Sequence, residues 1–147
     1  MAVVLLKSSI ASGSADPLRT RGSRQISADL VTNAATDNTG SKYLLMNVPS
    51  EAILLPGTQF KVDTWGYFDI RIGTFTDPAA LVSQLKSAAP VVSPLAMFDA
   101  KWNKPLWQQL GLVTDPGGEI GLYIHGSVAS ATGAGTMSFS LDWQFRY

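Results

Sequence analysis

The chain contains no cysteine, which excludes disulfide bonds and thiolate metal sites and leaves its redox compartment undetermined. Eleven basic and eleven acidic side chains cancel, so no overall field favours nucleic acid or an anionic membrane as a partner. No hydrophobic run approaches membrane-spanning length, and the run at residues 3–6 is too short for the core of a signal peptide. The sequence therefore predicts a soluble, unprocessed protein.

The most regular pattern lies at residues 137–147, where apolar and polar side chains alternate. The apolar set is Met137, Phe139, Leu141, Trp143, Phe145 and Tyr147. A period of two places successive side chains on opposite faces of a β-strand, so one face of this strand is wholly apolar. Burying six such groups contributes on the order of 10 kcal/mol gross. We expect a central core strand that forms a hairpin with residues 118–130.

The rest of the 147-residue chain predicts one mainly β domain. Residues 1–24 are interpreted as an N-terminal strand or extended arm, and residues 25–147 as an antiparallel β-sandwich of jelly-roll type. A small closed barrel with a covering helix is the alternative. Helical spacing after Asp77-Pro78 predicts a helix of about three turns, and Pro105 with Gly111 brackets a second, short helix.

Candidate catalytic residues are few. A hydrolase could use His125, the only histidine, with Ser127 and Asp142 as a triad. No nucleophile-elbow pattern surrounds Ser127, so a surface or interface histidine is the favoured interpretation. The carboxylates match no calcium-loop or zinc spacing, and the glycines of Gly117-Gly118 and Gly133-Ala134-Gly135 belong to turns rather than to a phosphate-binding loop. The sequence therefore predicts no enzyme activity, no metal and no cofactor.

Aromatic side chains in or near predicted loops are candidates for contacts with a partner: Trp65, Tyr67, Trp102 and Trp107. Such aromatics form the sugar-stacking platforms of many lectin-like modules. The alternative, which we favour, is that they fill the core or a contact between subunits.

The basic residues of the arm, Arg19, Arg21 and Arg24, also have two interpretations. They belong either to a solvated loop or to an arm that reaches an acidic protein surface. Residues 1–7 form a short β-prone run that either adds to a neighbour's sheet or provides the first strand of its own sandwich.

Residues 25–147 resemble small structural proteins of tailed bacteriophages that act as head decoration or cement proteins. The resemblance rests on the order of elements and on short patterns: KYLLMNVPSEAILLP at 42–56, FDIRIG at 68–73, DPAAL at 77–81, LWQQLGL at 106–112 and DPGG at 115–118. No catalytic motif supports it, and residues 1–24 lie outside it.

The resemblance implies a β-sandwich or jelly-roll module that assembles with itself, commonly as a trimer, and binds the major capsid protein. It implies a location on the capsid surface of the virion after synthesis in the host cytoplasm. A carbohydrate-binding module of a tail or host-recognition assembly is the main alternative, and a small hydrolase using Ser127 and His125 is the third.

Overall fold

A computed structural model describes residues 5–7, 24–95, 101, 103–126 and 131–145. The strands are β1 (Leu5–Lys7), β2 (Arg24–Asn33), β3 (Lys42–Pro49), β4 (Ala52–Leu54), β5 (Gln59–Lys61), β6 (Asp69–Gly73), β7 (Val82–Leu85), β8 (Val91–Val92), β9 (Glu119–His125) and β10 (Gly135–Phe145). A 3₁₀ turn covers Lys86–Ala88, and the helix α1 covers Leu106–Gln109.

The strands form two sheets around one hydrophobic core. The first sheet has the order β1-β3-β9-β6-β7, and the second has the order β2-β10-β5-β8 with β4 also paired to β10. All pairs are antiparallel except β1 with β3. This architecture confirms the predicted mainly β fold and its β-sandwich character, whereas the jelly-roll arrangement stays a prediction.

β10 is the central strand of the second sheet, as its alternation predicts. It pairs with β2 on one side and with β4 and β5 on the other. Four odd-numbered side chains are buried in the core: Met137, Phe139, Leu141 and Trp143. These four side chains form one row of the core.

The predicted hairpin between residues 118–130 and the terminal strand is wrong. β9 pairs with β3 and β6 in the first sheet, whereas β10 lies in the second. Ile120, Leu122 and Ile124 are buried on one face of β9, and Met137 to Trp143 bury their odd-numbered side chains on one face of β10. Two strands that each have one apolar face can bury both faces by packing from opposite sheets, and here that arrangement replaces the local hairpin.

The predicted helix after Asp77 is also wrong, because this segment turns back as β7 and pairs with β6. The Asp77 carbonyl accepts a hydrogen bond from the Thr74 N–H at 2.9 Å, and the Leu81 N–H donates to the Ile72 carbonyl at 2.9 Å. These bonds close a turn at Asp77-Pro78 and begin a strand ladder. Leu85, which a helix would have buried, is 47 % exposed.

The second helix prediction is confirmed by α1. Pro105 precedes the helix, and Gly111 follows it with a positive φ of 79°. No helix in the described part of the chain is long and apolar enough to cross a membrane.

The N-terminal run pairs within its own chain. β1 lies parallel to β3 at the edge of the first sheet, with Leu5 opposite Lys42. This pairing corresponds to the interpretation of residues 1–7 as a strand of their own sandwich.

Candidate interaction surface on the second sheet

β2 presents three of its four apolar side chains to solvent and buries the fourth, Val31, in the core. Ile26 is 64 % exposed, Leu30 is 49 % exposed, and Ala28 between them is also exposed. Ser27 and Asn33, on the other face of the strand, are buried. A strand with one polar and one apolar face normally buries the apolar one, so this orientation is the reverse of the usual arrangement. We call Ile26, Ala28 and Leu30 the β2 stripe.

Pairing with β10 imposes this orientation. Side chains directly opposite each other in an antiparallel ladder share one face of the sheet. Val31 lies opposite Met137 and Ser27 lies opposite Leu141, so the odd-numbered residues of both strands point inward. A slip of one residue would reverse the face of every β2 side chain. The strong apolar row of β10 therefore sets the face on which β2 exposes its stripe.

Two polar contacts hold the register at the ends of β2. Arg24 forms a bidentate pair with the buried Asp142, with Nε donating to Oδ1 at 2.7 Å and Nη2 donating to Oδ2 at 2.5 Å. This hydrogen-bonded carboxylate raises the pKa of the Arg24 guanidinium. At the other end, Asn33 Oδ1 accepts from the Gly66 N–H at 3.0 Å and Nδ2 donates to the Gly133 carbonyl at 2.9 Å. The outward position of the stripe is thus fixed from both ends.

A trough of small hydroxyl side chains runs beside the stripe. Ser138 lies opposite Leu30 and Ser140 lies opposite Ala28. Beyond these serines, Lys61 of β5 helps to line a groove of about 280 Å³. An apolar strip bordered by polar groups has the composition of a protein contact surface.

The free edge of β2 is less suited to a partner than its face. β2 is the end strand of the second sheet, and no strand in the described ranges pairs with its outer edge. The Leu30 N–H donates to Asp29 Oδ1 at 2.8 Å. A carboxylate that occupies an edge donor opposes the addition of another strand. The surface therefore offers the side chains of the β2 stripe rather than backbone groups.

The residues predicted to contact a partner have different positions in the structure. Arg24 is bound to Asp142 of its own chain, and Trp65 and Tyr67 are at most 1 % exposed. Arg19, Arg21 and Trp102 lie outside the described residues. Of the aromatic candidates, Trp65 and Tyr67 are not available on the surface of the chain.

Trp65 and Tyr67 pack with Tyr43 in the core. The ring centroid of Trp65 is 5.1 Å from that of Tyr43 and 5.8 Å from that of Tyr67. The Tyr43 hydroxyl donates to the Asp37 carboxylate, and burial, with this hydrogen bond, raises the pKa of Tyr43 far above its usual range. The Tyr67 hydroxyl donates to the Asn38 carbonyl at 3.0 Å. Their arrangement matches the core interpretation and leaves neither ring free to stack on a sugar.

Two members of the possible triad, His125 and Asp142, lie in different sheets. His125 lies on β9 in the first sheet, with Nε2 2.7 Å from the Thr74 carbonyl oxygen. Asp142 lies on β10 in the second sheet and is held by Arg24. Ser127 lies outside the described residues. His125 and Asp142 therefore do not form the acid–base pair that this hypothesis requires.

Because His125 is buried, the free energy of unfolding depends on pH. Desolvation lowers the pKa of His125, and Lys42 and Arg71 lower it further, while the Thr74 carbonyl and Asp77 oppose the shift. Below a pH of about 6.5, the unfolded histidine takes up a proton that the folded one resists. We therefore expect the free energy of unfolding to fall as pH decreases from about 6.5, by at most about 1.4 kcal/mol per pH unit from this group.

The check is urea unfolding between about pH 5 and 7 of the wild type and of His125→Gln, whose amide can also donate to Thr74. As the chain has one histidine, the difference between the two pH profiles isolates its titration. Parallel profiles would show that His125 has the same pKa in both states.

Among the described residues, no group of three or more histidine, aspartate and glutamate side chains could hold a metal ion.

In comparisons with known proteins, no family model, curated protein or solved structure matches this chain.

Proposed function

We propose that this chain is a non-enzymatic virion structural protein that decorates and stabilises the outer surface of a tailed-phage capsid. The proposal follows the resemblance of residues 25–147 to head decoration proteins. Its partners would be the major capsid protein and further copies of the same chain, assembled as a homotrimer of β-sandwich, jelly-roll type.

The outward β2 stripe is the observation that carries this proposal. A strand that exposes Ile26 and Leu30 while burying Ser27 and Asn33 loses stability as an isolated unit, since apolar area stays in water. Contact with another protein recovers that loss, at roughly 1.5–3 kcal/mol for each large side chain that becomes fully buried. A function in which the β2 stripe is buried against another protein accounts for its outward orientation and requires no catalytic step.

Multivalency makes modest contacts sufficient for a decoration protein. One stripe supplies two large apolar side chains, Ile26 and Leu30, which is a small contact area for a stable complex. An oligomer that contacts several capsid subunits at once converts later contacts into intramolecular ones. Release then requires all contacts to break together, so the bound oligomer clamps neighbouring subunits.

The test mixes purified protein with emptied heads of a tailed phage that have been stripped of decoration protein. We expect the protein to co-sediment with the heads and to raise their unfolding temperature, since a ligand that binds only the assembled state stabilises it. A protein that ignores the heads but is retained by glycans on an array would replace this proposal with the carbohydrate-binding one.

A further inference from the structure

A second surface feature lies on the outer face of the first sheet. Lys42 of β3, His125 of β9 and Arg71 of β6 occupy one row across three neighbouring strands, with His125 opposite both of the others. The row borders a cavity of about 440 Å³ that is also lined by Phe75 and Pro78 from the turn after β6. The cavity is therefore lined by both nitrogen-bearing and apolar side chains.

The charge of this cavity is positive. Lys42 and Arg71 line it, and none of the other lining residues is acidic. Asp69 is a weak partner for Arg71, with 3.8 Å between Oδ2 and Nη2. Asp77, in the turn after β6, raises the pKa of His125 by its charge but does not line the cavity. The two permanent cations are thus only partly compensated on the side that faces the cavity.

The ammonium group of Lys42 is also held in position. Lys42 Nζ donates to the Phe75 carbonyl at 2.7 Å and lies 3.8 Å from the centroid of the Phe75 ring. An ammonium has three N–H groups, so this bond leaves Lys42 with donors for an acceptor in the cavity. The ladders of β6 with β7 and β9 fix the backbone of Arg71, and its side chain is 31 % exposed. Positioned donors bind an anion with a smaller loss of side-chain entropy than mobile ones.

We propose that this cavity binds a carboxylate of an acidic side chain of a partner protein, with Lys42 and Arg71 as its two cationic donors. The apolar wall formed by Phe75 and Pro78 accommodates the methylene groups of a glutamate, while its carboxylate meets the cations. A nucleic acid requires a longer track of cations, and this chain has no net positive charge. The inference rests on the proposed function, because it identifies the chemistry of the partner surface.

The probe is an acetylated and amidated hexaglutamate peptide, with hexaglutamine as the neutral comparison. Binding is followed through the amide and His125 ring signals in NMR spectra at low salt, where exposed ion pairs are least screened. We expect hexaglutamate, and not hexaglutamine, to shift the signals of Lys42, Arg71 and Gly126, which line the cavity. Lys42→Gln and Arg71→Gln should each weaken binding about tenfold.

Lys104→Gln is the matched control, since it removes one positive charge from an exposed residue away from this cavity. It should leave the hexaglutamate affinity within about twofold of the wild type. Equal losses in all three variants, or no peptide-induced shifts in the wild type, would overturn the inference. Binding of sialyllactose at the same residues without binding of hexaglutamate would also overturn it, in favour of an acidic sugar.

A separate measurement distinguishes this inference from the proposed function. If heads bind Arg71→Gln and the wild type with equal affinity, the decoration proposal stands and the carboxylate site on the partner is rejected. If Arg71→Gln binds heads about tenfold more weakly while Lys104→Gln binds normally, both are supported. Unchanged thermal unfolding of each variant excludes a loss of fold as the cause.

Discussion

Replacing Trp143 with alanine is expected to lower the free energy of unfolding by about 3–5 kcal/mol, a large part of the roughly 5–15 kcal/mol that stabilises an ordinary domain. Trp143 is fully buried on β10, opposite Leu54 of β4 and Gln25 of β2. Its removal leaves a cavity at the junction of three strands, where the neighbouring backbones cannot collapse without losing ladder bonds. Urea unfolding followed by circular dichroism measures the loss.

Ser138→Ala is the matched control, because Ser138 is exposed on the opposite face of the same strand. It should change stability by less than about 0.5 kcal/mol.

Deletion of residues 144–147 should abolish folding as well, since Gln144 and Phe145 close the ladders with Arg24 and Ala52. A soluble deletion variant with a cooperative thermal transition would contradict the central position that we assign to β10.

Gln109→Glu is expected to destabilise the protein by about 3–5 kcal/mol at neutral pH, although the two side chains have nearly the same shape. Gln109 is fully buried and joins α1 to β4. Its Oε1 accepts from the Leu54 N–H at 3.2 Å, and its Nε2 donates to the Leu54 carbonyl at 3.1 Å and the Lys101 carbonyl at 3.2 Å. A glutamate would direct a buried anionic oxygen at these two carbonyl oxygens.

The pH dependence of this defect identifies its cause. A protonated glutamate can donate to one of the carbonyls, so the difference from the wild type should shrink as pH is lowered. Gln108→Glu introduces the same charge at the exposed neighbouring position and should cost less than about 0.5 kcal/mol. Equal stabilities of the two variants at neutral pH would mean that Gln109 is not the link between α1 and the sheet.

The fold was predictable from sequence where a pattern is long and one-sided. β10 has one apolar parity, and its burial follows directly from that alternation. Residues 43–48 are apolar on both parities, and side chains from both parities of β3 are buried. These segments have only one arrangement that removes their apolar area from water, so local periodicity is sufficient to predict which of their side chains are buried.

Pairing partners were not predictable in the same way. β9 and β10 are neighbours in sequence with suitable alternation, and a hairpin satisfied every local requirement. The structure places them in opposite sheets because each core face needs its own apolar row. The helix predicted after Asp77 failed for a similar reason, since the ladder between β6 and β7 outweighs the spacing of Leu81 and Leu85.

The candidate surface was missed because alternation does not reveal which parity faces the core. Ile26 and Leu30 are the more apolar set of β2, but the stronger row of β10 takes the core side of the ladder. One signal was available in the sequence. Arg24 and Asp142 carry opposite charges, and their pairing sets the register of β2 against β10, although the sequence alone assigns Arg24 to the N-terminal strand or arm rather than to the sandwich.

The central claim is that the protein acts through burial of the β2 stripe against a partner. The most direct measurement is the affinity of the double variant Ile26→Ser/Leu30→Ser for stripped phage heads. Val113→Ser is the matched control, since Val113 is an exposed apolar residue, 94 % accessible, outside the stripe. We predict that the double variant folds normally and binds at least about tenfold more weakly than the wild type, while Val113→Ser binds as the wild type does. Equal binding by all three proteins would contradict the claim.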